Sequence, residues 1–122
     1  MEAEDVRRLY ATGERYFVSA DLIGVRLIDA YLPGINLWGA DLSRANLARA
    51  KLWGANLSQA NLANANLTRA NLCGVNLSNA NLRGAKLHYT KFYGANLNGA
   101  MYDTSTKLPR GFEPLNHGMR KI

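Results

Sequence analysis

Few side chains in this sequence have the type and spacing that catalysis needs. His88 and His117 are the only histidines, and neither has a cysteine or carboxylate at a spacing suited to a metal site or a proton relay. Cys73 is the single cysteine, which excludes an internal disulfide and fits a reducing compartment. No glycine-rich phosphate loop and no nucleophile elbow is present. The chain therefore reads as a non-enzyme, with no cofactor and no metal expected.

Charge is the next chemical resource. The formal net charge is +6. Between residues 20 and 102 the acids are Asp21, Asp29 and Asp41, against Arg26, Arg44, Arg49, Lys51, Arg69, Arg83, Lys86 and Lys91. A basic surface of this kind can hold phosphate or an anionic polymer. It also keeps a repetitive chain soluble, and that is the favoured reading, because the bases are not interleaved with a regular row of aromatics.

These side chains are placed by a period of five. From Leu22 to Leu97 every fifth residue is leucine, at 22, 27, 32, 37, 42, 47, 52, 57, 62, 67, 72, 77, 82, 87 and 97, with Phe92 in the remaining place. In an α-helix, steps of five advance by ~140° net and scatter the leucines round the axis. In a straight strand an odd step sends successive leucines to opposite faces. All of them face one core only if the backbone turns a corner in every repeat. Leu22, Leu27, Leu32, Leu37, Leu42, Leu47, Leu52, Leu57, Leu62, Leu67, Leu72, Leu77, Leu82, Leu87, Phe92 and Leu97 are then the inward ladder. Fixed-period repeats of this sort build solenoids, in which stacking buries what one unit cannot.

Two residues before each centre a small residue also points inward, with Val25, Ile35 and Val75 enlarged and Thr90 polar. Thr90 beside Phe92 predicts an irregular last coil. The two residues after each centre form the corner. Glycine at the second of them, as at Gly34 and Gly54, suits a type II turn with positive φ. Where Arg44, Arg49, Gln59, Asn64, Arg69, Asn79 or Tyr89 stands there, type I-like or irregular corners are expected. The glycine spacing alone is compatible with three sides or four.

The spelling Ala40-Asp41-Leu42, Ala60-Asn61-Leu62 and Ala80-Asn81-Leu82 resembles the A(D/N)LXX signature of the pentapeptide-repeat family, over residues 20 to about 102. That resemblance implies an all-β solenoid, a right-handed quadrilateral parallel β-helix with four units per coil and about four coils. Both flanks also resemble those of short cyanobacterial members. Residues 1–18 are expected to form an N-terminal cap with a short helix over Glu2–Ala11. Residues 19–102 form the β-helix, and 103–122 a capping tail in which Leu108 and Phe112 plug the open end. The acidic start, without an apolar run, predicts no secretory signal and a cytoplasmic location. No stretch is long and apolar enough for a membrane span.

With four sides, the outward residues sort into faces. Arg49 and Arg69, with Lys86, form a candidate anion face, where the stacked guanidinium heads must splay or find an anion. Lys51, Trp53, Lys91 and Tyr93 form a candidate partner face, with Cys73 between the two rings as a surface thiol. The asparagine column at 36, 56, 76 and 96 reads as an amide ladder or as corner hydrogen bonding, in preference to a template for sugar or ice. Ser58 and Ser78 read as positions indifferent to substitution.

These features favour a rigid protein-interaction scaffold or regulatory module whose partner is another protein. Some members of the family protect DNA gyrase by mimicking DNA with acidic surfaces. The basic charge here argues against that, and nucleic acid is not the expected partner. Family members that dimerise do so through their C-terminal coil, which the tail would block here, so a monomer is expected.

Overall fold

A computed structural model describes all residues from Met1 to Ile122. Helix α1 spans Ala3–Ala11 and leads into a right-handed, four-sided parallel β-helix. Each side contributes a single bridging residue, so regular strands are confined to β1 (Met101–Tyr102) and β2 (Arg120–Lys121), which pair in parallel. Asp21 bridges Asp41, Arg26 bridges Asn46, Tyr31 bridges Lys51 and Asn36 bridges Asn56. Each partner lies one twenty-residue coil further on, which decides between three sides and four.

The core is the leucine ladder with its alanines. No leucine centre from Leu22 to Leu97 is more than 3% exposed. Phe92 departs from the expected inward set: it is only partly buried and rests on Phe112, with ring centroids 5.5 Å apart. A phenylalanine is too long for the leucine slot, and no complete coil lies above it. Thr90 fills its inward position by donating its hydroxyl to Leu67 O at 2.8 Å. Ser58 is likewise not the indifferent position expected. It is buried, and its hydroxyl meets Ser78 Oγ at 2.9 Å.

The corners correct a second expectation. Every second corner residue from Ser19 to Gly99 has positive φ, glycine or not. Arg44, Arg49, Gln59, Asn64, Arg69, Asn79 and Tyr89 all lie between 58° and 64°. The first corner residues do not, so the turns are uniformly of type II. The reason lies between coils. Arg49 N–H donates to Thr68 O at 2.9 Å, and Gly54 N–H to Cys73 O at 2.9 Å. Type I and type II turns differ by a flip of the central peptide, which carries this very donor and its acceptor. A type I corner would break the ladder above and below it. The stacked hydrogen bonds outweigh a left-handed residue's cost of about 1–2 kcal/mol.

The repeat's Asn or Asp has an equally local cause. In the corner, the N–H of the first residue finds no backbone acceptor. The side chain two residues earlier supplies one: Ala63 N–H donates to Asn61 Oδ1 at 3.0 Å, and Ser43 N–H to Asp41 Oδ1 at 3.0 Å. All eleven Asn and Asp residues at this position do the same. Tyr31 can stand there because the residue it would serve is Pro33, which has no N–H. An amide ladder between coils occurs once, from Asn81 Nδ2 to Asn61 Oδ1 at 3.3 Å.

Both ends are closed by chain outside the repeat. Helix α1 lays Val6, Leu9 and Tyr10 against the first coil. It also supplies donors for carbonyls that have no coil below them: Met1 to Asp21 O, Arg7 to Ile28 O and Tyr10 to Pro33 O. At the far end the five-residue spelling stops after Tyr102, but the ladder continues. Leu87 N–H donates to Lys107 O, Gly99 N–H to Gly118 O and Ile122 N–H to Tyr102 O. Leu108, Phe112 and Met119 cover the last leucines.

Candidate functional site

The basic side is built from stacked corners. Asp29, Arg49, Arg69 and Tyr89 occupy the same corner position in four successive coils. The two arginine heads do not meet. Arg49 turns back to Asp29, and Arg69 turns forward over the ring of Tyr89, 4.6 Å from its centroid. The Arg49 guanidinium also holds the Asp29 carboxyl below the usual carboxylate range. Both arginines are thus partnered within the column. Lys86 lies on the same side but bridges Lys107, away from that pair. Sequence reasoning sets Asp29 on this side without pairing it with Arg49, and leaves Tyr89 out. A twenty-residue offset from Arg49 and Arg69 finds both.

The aromatic side is arranged differently from its sequence reading. Trp53 does not touch Tyr93. It packs edge-on against Tyr31 at 5.5 Å, and Tyr31 packs edge-on against Tyr10 at 6.5 Å. Arg15 caps this row over the Tyr10 ring at 3.5 Å. Tyr93 stands alone two coils on and is 88% exposed. Lys51 bridges Tyr31 and Asn71, and Lys91 bridges Asn71, so both lysines line this side. Cys73 is half-buried between the Trp53 and Tyr93 corners. The adjoining corner column is Gly34, Gly54, Gly74 and Gly94, which leaves the edge beside these rings without side chains.

No three His, Cys, Asp or Glu side chains come together as metal ligands. His117 stacks on Phe112 at 4.5 Å, and His88 lines a cleft with Tyr89, Pro109 and Arg110. No helix is long and apolar enough to cross a membrane.

A leucine-lined square coil of five-residue sides, with an Asx-braced type II corner on each, defines a class of repeat protein. The chain belongs to the pentapeptide-repeat family. The family model described as pentapeptide repeats matches residues 20–59, 40–79 and 60–99, with eight copies. The crystal structure of alr5209, a pentapeptide repeat protein from Nostoc PCC 7120, is 33% identical, with a TM-score of 0.85; the match covers 99% of this chain and 96% of that one. A pentapeptide repeat protein from the Arabidopsis thaliana thylakoid lumen is 34% identical, with a TM-score of 0.59, over 78% of this chain and 76% of that one. Among curated proteins none matches the chain.

Proposed function

We propose that the protein is a non-enzymatic interaction scaffold, recognised by another protein through the side centred on Leu32, Leu52, Leu72 and Phe92. The observation that carries this reading is three exposed rings on one side with two lysines beside them, Tyr31 at 60%, Trp53 at 38% and Tyr93 at 88%; Tyr16, Trp38 and Tyr89 are exposed elsewhere, with no such grouping. Aromatic anchors of this kind lose little conformational entropy on binding and dominate interface energetics. The glycine corner beside them lets a partner's backbone approach closely. Lys51 and Lys91 supply a positive rim that favours an acidic partner. DNA mimicry is not supported, because the repeat body carries eight bases and three acids.

The test is a pull-down from lysate of the source organism, read by mass spectrometry, with wild type beside a Trp53→Ala/Tyr93→Ala variant. A protein enriched by wild type and lost with the variant supports the reading. The purified pair must then bind directly. Equal retention by both forms moves the contact to another side, and retention by neither removes the proposal.

A further inference from the structure

In the last coil two corner donors meet no acceptor above them, the N–H groups of Tyr89 and Gly94, and only the Tyr89 corner opens onto a cleft. In the column of Asp29, Arg49, Arg69 and Tyr89, the first three N–H groups donate to the coil above: to Ala48 O, Thr68 O and His88 O at 2.9 Å each. Tyr89 N–H has no partner. Its acceptor by register is Pro109 O, since Lys86 bridges Lys107 and Pro109 therefore stands over His88. Pro109 O instead accepts from Phe112 N–H at 3.0 Å, because the chain turns away through Arg110 and Gly111. A cleft of about 320 Å³ opens between the two layers, lined by His88, Tyr89, Pro109 and Arg110.

The charged side chain lining this cleft is basic, and the acid nearest in sequence, Glu113, makes no ion pair with it. Arg110 and His88 line it. Lys86 and Lys107 lie beside it as bridged neighbours on one face, an arrangement of like charges that is unfavourable without a counter-ion. Neither lysine nor Arg110 has an acidic partner: the ion pairs of the molecule are Arg8–Asp5 and Arg49–Asp29. No Asp or Glu occurs from residue 42 to 102. Asp103, the next acid, is committed to its own corner, accepting from Gly84, Ser105 and Thr106 N–H.

We infer that this cleft binds a small oxyanion, inorganic phosphate or the phosphate of a small phosphomonoester. The Tyr89 N–H and the Arg110 fork supply directed donors, and the lysine pair supplies the charge that the ligand neutralises. The site is independent of the aromatic side, so either proposal can fail alone.

The experiment is a titration of full-length ¹⁵N-labelled protein with inorganic phosphate, with ionic strength held constant by sodium chloride. The expected result is a saturable shift of the Tyr89 amide resonance. Arg110→Gln should weaken binding roughly tenfold, the loss of one charge-assisted hydrogen bond. Arg83→Gln, which removes the same charge outside the cleft, should change it by less than about twofold. The amide spectrum itself reports that each variant is folded. Phenyl phosphate then separates the sources: tighter binding than phosphate assigns the site to a monoester, and equal or weaker binding to the free ion. A Tyr89 resonance that does not saturate overturns the inference. So does equal weakening by the two arginine variants.

Discussion

Arg49 reaches one coil back and clasps Asp29 with two nitrogens along one edge of its guanidinium, Nε 2.8 Å from Oδ1 and Nη2 3.0 Å from Oδ2. The pair neutralises one of the two stacked arginines, and the other turns away to the ring of Tyr89. The pair's energetic trace should appear in pH. The hydrogen bond from Arg49 depresses the Asp29 carboxyl in the folded state. The pair's stabilisation is therefore present above the unfolded carboxylate value of about 3.9, and disappears as pH falls through the lower folded value. An Asp29→Asn variant should melt below wild type at pH 7 and alongside it at about pH 2. A melting difference that does not change with pH would show that the contact is not acting through charge.

The inward assignment of the ladder predicts that Leu67→Asp abolishes folding, since a buried unpaired carboxylate costs several kcal/mol. Leu67→Ala should fold but lose about 2–5 kcal/mol in urea titration. A cooperative, soluble Leu67→Asp protein would contradict the assignment of this position to the core.

The Asx-braced corner makes a prediction in both directions. Asn61→Ala removes the acceptor for Ala63 N–H and should cost about 1 kcal/mol. Lys51→Asn offers an acceptor to Trp53 N–H, which has none, and should add a similar amount. Chemical denaturation of the two variants should move the midpoint in opposite directions.

Uniform type II corners set another opposed pair. Gln59 is held at φ 64°, so Gln59→Gly should stabilise by about 1 kcal/mol. Gly54 sits at φ 71° with nothing within 4 Å of an added Cβ, so Gly54→Ala should cost about 1–2 kcal/mol from conformation alone. Had the non-glycine corners been of type I, Gln59→Gly would destabilise.

The sequence makes the inward ladder legible because burial repeats with the period of the chain. Leu22 and Leu82 meet the same surroundings, so one reading serves both. The corners at Arg44 and Arg49 depart from local turn preference because each N–H is held by the next coil, a contact that no single unit contains. The pairing of Arg49 with Asp29 was within reach, since a twenty-residue offset puts one above the other. The contact of Trp53 with Tyr31 depends on side-chain direction, and spacing alone does not show that. The cleft at His88 is closed on its far side by chain beyond the repeat, where Lys107 stands twenty-one residues from Lys86 and Arg120 nineteen from Met101. Nothing periodic announces such a slip.

That slip also limits how the molecule can grow. Lys107 lies over Lys86 and Arg120 over Met101, yet only thirteen residues carry the chain from Lys107 to Arg120, where the three sides below take fifteen. The tail takes a chord across the square, with Phe112 seated on Phe92, and closes the leucine column to any further layer. Length is therefore set from inside. A duplicated block of twenty residues in the middle would add one storey of ~4.8 Å while leaving both ends as they are, so the rod behaves as a ruler whose graduations can be inserted but not appended.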